Sequence, residues 1–386
     1  MFVGIGTTVS LRSFQPKQRM PTRRQFIWST AGISAGAIAI VAVDAWLSKN
    51  RYEAATRALW RDPVTRAIGL TAVHHALVRA ATLAPSSHNT QCWKFGLAPD
   101  AITILPDLSR RCPAVDPDDH HLYVSLGCAA ENIVQAAAAN GLRAIGAPAA
   151  RDVGYRLQLS PDTSSASPLA AAITSRQSAR NVYDGRALTQ SELIALERAG
   201  TSERVSLMLL TERPAVNSIL DAVVSANAAQ MQDVAFVAEL RQWIRFSNRE
   251  ALDHRDGLFS ATTGNPSIPR WIGEAMFGMV FTEKGETAKY VEQIRSSAGI
   301  AVFVGAESDP AHWMEVGRCF ERFALQCTVL GISTAMINQP VEVSATRSQF
   351  AAHLGLAGKR PDLILRFGRG PGMPRSLRRP VSAVIA

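Results

Sequence analysis

Two stretches of this 386-residue chain, about 190 residues apart, carry the same helical signature, and that repetition limits what the chain can fold into. Gly127-Cys128-Ala129-Ala130-Glu131-Asn132 aligns with Gly317-Arg318-Cys319-Phe320-Glu321-Arg322, so the glutamates coincide. Each run closes on a second glycine 14 residues after the first, Gly141 and Gly331, and each follows an acidic-Pro element, Asp116-Pro117 or Asp309-Pro310. A period this long is not a solenoid; it predicts a duplicated domain, against the plainer alternative that two apolar helices match by chance.

With 47% hydrophobic residues the chain can bury a sizeable core, and its length predicts two or three domains. Net charge is +9, but Arg12, Lys17, Arg19, Arg23, Arg24 and Lys49, against Asp44 alone, place five of those nine charges in residues 1–49. The remainder shows no Lys/Arg-rich block with interleaved aromatics, so no nucleic-acid partner is expected. Cys92, Cys112, Cys128, Cys319 and Cys327 are odd in number and scattered, which predicts no disulfide framework.

Thr22-Arg23-Arg24-Gln25-Phe26-Ile27 precedes an uncharged run, Trp28 to Val43, rich in Gly, Ala and Ser. Paired arginines before a mildly apolar run resemble a twin-arginine export signal, with Met20 an alternative start and Val43-Asp44-Ala45 offering a cleavage site. The apolar run would be about 25 Å long as a helix, short of a bilayer core of roughly 30 Å. A membrane anchor over residues 26–46 or a buried helix are the alternatives. Export predicts a periplasmic or exported protein that meets the twin-arginine machinery already folded, its cofactor loaded in the cytoplasm.

In the body, Arg51 to Thr82 reads as helical, and Pro85 stops the helix because its ring disfavours α geometry at Ala84. The loop Pro85-Ser86-Ser87-His88-Asn89-Thr90-Gln91-Cys92-Trp93 can present hydroxyls, amides and backbone N–H groups to a flat heterocycle, though ordinary loops share that composition. Strands are predicted over 93–97, 101–105 and 362–368, and helices over 122–142, 191–199 and 316–330. Asp116 to His121 invites a metal reading. Acidic residues also suit a helix start, and no other His/Cys spacing supports ligation, so no metal is expected. Arg176, Ser178 and Arg180 alternate, so an extended segment would aim them to one side, where two guanidinium forks flanking a hydroxyl suit a phosphate. A solvated basic loop is the plainer reading. Asn338-Gln339-Pro340-Val341-Glu342 is a loop after the second helix, and Arg378-Arg379 lies in a basic tail.

Together these pieces resemble the nitroreductase family of FMN flavoproteins. Arg176-x-Ser178-x-Arg180 resembles that family's phosphate motif, Pro85-Ser86-Ser87-x-Asn89-x-Gln91-x-Trp93 its Pro-Ser loop, and the two glycine-bounded helices its central helix. Pro340-Val341-Glu342 resembles the loop whose backbone N–H approaches flavin N5, and Arg378-Arg379 the tail that reaches the phosphate. The order of motifs, together with Asp253-His254-Arg255-Asp256-Gly257-Leu258, is similar to the duplicated Acg-type branch. Cys92 and Gln177 depart from the family pattern, which usually has Pro and Arg there.

The resemblance implies an α+β, nitroreductase-like fold in two tandem degenerate copies, residues 50–165 and 166–386, forming an intrachain pseudo-dimer. The first copy keeps the Pro-Ser loop and the second the Arg-x-Ser-x-Arg motif, which implies one composite FMN site per chain. Its residues would be Pro85, Ser86, Ser87, Asn89, Gln91, Arg176, Ser178, Arg180, Pro340, Glu342, Arg378 and Arg379. Arg245 or Asn248 would face the pyrimidine, and Asp253 to Phe281 would form a lid or else a long connecting loop. The implied activity is hydride transfer from NAD(P)H through FMN to a small nitro- or quinone-like acceptor, with no protein acid–base residue required. The alternatives are an exported protein that binds and sequesters FMN, and a flavin-free structural relative held at the membrane.

Overall fold

The structure is a computed structural model that describes residues 45–61, 69–149, 154–163, 167–356 and 358–386; the arginine pair and the apolar run after it lie outside them. Among the described residues no helix is long and apolar enough to cross a membrane. The chain divides at residues 47 and 48, and the fold described below is that of Ser48–Ala386.

Residues 48–61 are helical (α1), as is Leu70–Thr82 (α2). The strands Trp93–Ala98 (β1) and Ala101–Pro106 (β2) follow, then the helix His120–Ala139 (α3) and the strands Leu142–Pro148 (β3) and Tyr155–Pro161 (β4). Two short helices, Pro168–Ala172 (α4) and Gln190–Gly200 (α5), lead to Val205–Leu210 (β5). A helical insertion comes next: Arg213–Gln232 (α6), Val234–Trp243 (α7), Ile244–Arg245 (β6), Asn248–His254 (α8), Leu258–Phe259 (β7), Arg270–Val280 (α9) and Glu283–Arg295 (α10). The chain closes with Gly299–Gly305 (β8), Pro310–Val329 (α11), Ser333–Met336 (β9), Gln339–Glu342 (α12), Ser344–His353 (α13) and Leu363–Gly368 (β10).

This is an α+β architecture with two four-stranded antiparallel sheets, ordered β1-β2-β4-β3 and β5-β8-β10-β9. The order is the same in both, with a central helix (α3 or α11) entering between the second and third strands in chain order. The expected strands are all present; α3 and α11 begin earlier than the hydrophobic pattern alone indicates, because polar first turns are hidden from a periodicity reading. Asp309 caps α11 by accepting the N–H of His312, with Pro310 at its first position. Each helix ends at a left-handed glycine, Gly141 at φ 71° and Gly331 at φ 66°, the conformation that lets a terminal turn close without a Cβ penalty.

α3 and α11 cross against one another at the aligned glycines. A Cβ on Gly127 would lie 1.9 Å from the Met314 carbonyl oxygen, and one on Gly317 would lie 2.0 Å from that of Val124. The helices touch backbone to backbone, and the Cys128 thiol donates to the Gly317 carbonyl at 3.3 Å. All five cysteines are free and buried. Around this crossing lies the main apolar core, to which both sheets contribute: Phe95, Ile102 and Leu157 from one, Phe303, Leu365 and Phe367 from the other. The tail then returns to the first sheet, where Phe95 N–H donates to Val384 and Ala386 N–H to Phe95.

Because a methyl at either crossing glycine meets backbone that cannot swing aside, Gly127→Ala and Gly317→Ala are each expected to cost about 1–3 kcal/mol of stability, as overpacking does. Gly96→Ala, whose nearest neighbours would be 3.9 Å away, is the control and should stay within about 0.5 kcal/mol. Denaturant midpoints of the three variants and the parent check this.

Candidate functional site

The loop after α2 is built from strained backbone. His88, Asn89 and Gln91 all have positive φ, 47°, 53° and 54°, a cost that non-glycine residues bear chiefly at functional sites. Polar side chains fix it. Ser86 Oγ accepts the Gln91 N–H at 2.9 Å, and Ser87 N–H donates to Ser125 Oγ on α3. Asn89 Nδ2 donates to the Gly257 carbonyl and Gln91 Nε2 to that of Arg255, so the loop is docked on the 253–258 segment that the sequence singles out. Gly257, at φ 74°, is tight there: a Cβ would lie 2.3 Å from the Trp243 carbonyl.

Two adjoining cavities open beside this loop. The larger, about 420 Å³, is lined on one side by Ser86, Ser87, Ser178 and Glu342 and elsewhere by apolar groups including Met231, Phe236, Phe246 and Phe277. The smaller, about 100 Å³, is lined by Arg176, Arg180, Arg375 and Arg378, with Ser178, Asn89 and Trp60. Pro85, Ser86, His88, Ser178 and Arg180 line both, so the two are continuous along one edge. Residues 258–268 and α9 roof the larger cavity, with Gly273 packed under the Phe246 ring and Phe277 stacked on Phe281. Trp271, by contrast, is exposed.

The smaller cavity concentrates positive charge with little to balance it. Arg176 pairs with the buried Glu321 of α11 at 3.1 Å and donates to the Leu83 carbonyl. Arg378 donates to Ser376 Oγ at 2.6 Å and to the carbonyls that end α2, and among the described residues its Nε has no partner. Burial first, then Arg176, pushes the Arg378 pKa down to about 9. Arg375, held by carbonyls of the 174–176 segment and lying 4.8 Å over the Trp60 ring, is shifted downward for the same reasons. Among the described residues the Arg180 guanidinium has neither a carboxylate within 4 Å nor a hydrogen-bond acceptor, and burial lowers its pKa too. A set of desolvated guanidiniums with a single matched partner, Glu321, is suited to bind an anion with several oxygens.

The expected site residues therefore divide. Pro85, Ser86, Ser87, Ser178, Arg180 and Glu342 meet at the larger cavity, and Asn89, Arg176 and Arg378 at the smaller. Gln91, Pro340 and Arg379 line neither. Gln91 Oε1 accepts the Arg379 N–H at 2.7 Å, and Arg379 itself holds the Gln91 and Ala383 carbonyls. The Glu342 N–H, which the resemblance aims at a flavin, donates instead to the Asn338 carbonyl inside α12; the residue presents its carboxylate, which accepts from Gln230 Nε2 at 2.7 Å. Burial raises that carboxyl's pKa. Arg245 is committed to Asp256 at 2.6 Å, and neither it nor Asn248 lines a cavity. Arg375 was not anticipated; only its place in the basic tail signalled it. The wall from α6, α7 and α10, apolar at Met231, Phe236 and Leu240 and polar along α10, has no motif to signal it, because its residues are separated in sequence.

No family model matches the chain. Two Mycobacterium tuberculosis proteins provisionally named NAD(P)H nitroreductases are similar to it. Rv3131 is 26% identical over 322 residues, spanning 79% of this chain and 88% of its own. The acg protein is 24% identical over 342 residues, spanning 81% and 95%. Among solved structures, the FMN-dependent nitroreductase NfnB of Mycobacterium smegmatis, in complex with NADPH, aligns with 55% of this chain and 94% of its own at 15% identity and a TM-score of 0.37. At that level it bears on neither the fold nor the site.

His88 sits where both cavities meet, and burial, with Arg180 adding to it, lowers its pKa to about 4 from an ordinary 6.5. Between those values the unfolded chain holds a proton that the folded chain does not, so stability should rise with pH from about 4 to 6.5 and level off above. His88→Asn, which also suits the left-handed backbone, should flatten that part of the curve. Thermal midpoints measured across the window in both proteins test it.

Proposed function

We propose that this chain is a nitroreductase-type FMN oxidoreductase built as two tandem degenerate copies, with one composite flavin site per chain. The observation that carries the reading is the continuous pair of cavities, one cationic and phosphate-sized, one broad, mostly apolar and edged with polar groups. The residues present fit the cofactor: among the described residues Arg378 has an orphaned Nε, the Arg180 guanidinium has no carboxylate within 4 Å, and the side-chain oxygen Oδ1 of Asn89 is buried without a donor. Arg176, Ser178, Arg180, Arg375 and Arg378 would hold the phosphate, while Ser86, Ser87 and the Glu342 carboxylate would edge the ring system. When bound, FMN would supply two-electron transfer from NAD(P)H to a nitro- or quinone-like acceptor.

What the chain itself does is bind, orient and exclude water. The strained loop holds Ser86 and Ser87 against the cavity, and α9 supplies part of its apolar wall. The repeated strand order and the crossing of α3 and α11 support the duplication, and the placement of the loop before β1 and of the Arg-x-Ser-x-Arg segment after β4 supports a composite site. Thr22 to Val43 supports twin-arginine export to the periplasm, as signal or anchor.

A second reading, sequestration of FMN with little turnover, is favoured by the roof and by the charges beneath it. Lys289 in the larger cavity is tied to Glu286 at 2.7 Å, which leaves Arg180 as the cation there without an anionic partner among the described residues. A dinucleotide's phosphates would find no second cationic patch on that wall.

The test is flavin content per chain in protein produced with FMN available, beside Arg180→Ala. One FMN per chain is expected, with affinity weakened at least tenfold by the substitution, since a hydrogen bond to a charged group contributes about 1.5–3 kcal/mol. Two FMN per chain would contradict the composite site, and none would overturn the flavin reading. Reduction by NADPH in stopped flow then separates the reductase from the sequestering protein.

A further inference from the structure

At the start of α3 three buried side chains converge outside the proposed flavin contacts. Asp116, His120 and His121 each place a ligand-type atom within 4.8 Å of the others, and their exposures are 4%, 0% and 5%. In the sequence this cluster invites a metal reading but finds no supporting His/Cys spacing, because the group that completes the arrangement lies far along the chain.

Asp362, 242 residues away and just before β10, sits 2.9 Å from His120 Nε2 and also accepts the Gly305 N–H at 2.6 Å. A carboxylate on one ring nitrogen fixes the proton there and leaves the other nitrogen's lone pair available, the arrangement that commonly supports a metal-ligating histidine. That other atom, His120 Nδ1, is buried without a partner among the described residues, and so is His121 Nε2. His121 Nδ1 lies 3.9 Å from Glu342 Oε1, too far for a hydrogen bond.

The charges point the same way. Asp116, Glu342 and Asp362 are carboxylates around two imidazoles, and among the described residues no lysine or arginine comes within 4 Å of any of them. The nearby arginines are engaged elsewhere: Arg360 pairs with Asp118, and Arg347 donates to the Val341 carbonyl. Among the described residues the Asp116 carboxylate accepts only the N–H groups of His121 and Leu122. Such a pocket needs either protons or a cation to offset its negative charge.

We propose that Asp116, His120 and His121 bind one divalent transition-metal ion of the zinc class, with Asp362 orienting His120. Two imidazole nitrogens and one carboxylate oxygen select zinc, cobalt or nickel over magnesium or calcium. Ligand bonds of about 2.0–2.2 Å hold ligand atoms within about 4 Å of one another, so binding draws the three side chains together by up to roughly 1 Å. It also ties the start of α3 to the entry of β10, on the side where His121 lines the larger cavity.

The test uses the full-length protein, stripped with a chelator and titrated separately with Zn²⁺ and Co²⁺. Metal per chain is read by mass spectrometry, cobalt ligation by visible d–d bands beyond the flavin's absorption, and stability by thermal midpoint. One ion per chain, with the bands and a raised midpoint, is expected. His121→Gln, more readily accommodated than a change at the fully buried His120, should abolish binding, and Asp362→Asn should weaken it about 10–100-fold. Failure to bind either ion, or binding that His121→Gln leaves unchanged, overturns the assignment and leaves protons to balance the carboxylates. None of these readouts depends on flavin or turnover, so they stand apart from the proposed function.

Discussion

The close approach of α3 to α11 is the contact on which the rest of the structure depends. Two helices can touch backbone to backbone only where neither carries a side chain, and Gly127 and Gly317 meet that condition reciprocally. The approach brings buried charge with it. Glu131 on α3 pairs with Arg318 and Arg322 of α11, and Glu321 on α11 pairs with Arg176 from the segment that precedes α5. These pairs are expensive to desolvate and weak evidence for net stability, but removing one partner would strand the other. Their effect is to fix which turn of one helix meets which turn of the other.

From that fixed crossing the site follows geometrically. α3 carries Ser125, which anchors the strained loop through Ser87, and α11 carries Glu321, which holds Arg176. The C-terminal tail then crosses to the first sheet and brings Arg378 against the end of α2, where the carbonyls of Leu83 and Ala84 accept its N–H groups and that of Leu83 also accepts from Arg176, while Arg375 is held by the carbonyls of residues 174–176. Cations at a helix C-terminus are electrostatically favoured, so the dipole of α2 helps to assemble guanidiniums that would otherwise repel. The cationic cavity thus draws on three separate parts of the chain.

Much of this was legible in the sequence because the informative features are local. Helix-ending glycines, the Pro85 break and the alternation of Arg176, Ser178 and Arg180 each state a backbone geometry within a few residues, and each has its counterpart in the fold. What escaped was decided by partners distant in sequence. Arg379 and Gln91 read as cofactor contacts by motif, yet they satisfy one another's backbone; Arg245 reads as a reaching arginine, yet Asp256 claims it. Glu342 shows the limit most sharply: the motif points to its N–H, but a one-turn helix takes that donor and leaves the carboxylate facing the cavity. Hydrogen-bond satisfaction of the backbone takes precedence over motif analogy.

The unbalanced guanidiniums have a thermodynamic consequence for the whole fold. Desolvation depresses the pKa of Arg180, Arg375 and Arg378, which means the folded chain without an anion carries charge it is penalised for burying. The strained turn at His88, Asn89 and Gln91 adds to that penalty rather than relieving it. An anion that enters between these residues offsets part of both costs, since it binds the folded state and not the unfolded one. Sheet pairing and the helix crossing must therefore supply enough stability to hold the pocket open in advance. On this view the large apolar core is what allows a preorganised cationic site to exist at all, and a bound anion would return stability to the segments that bear the strain.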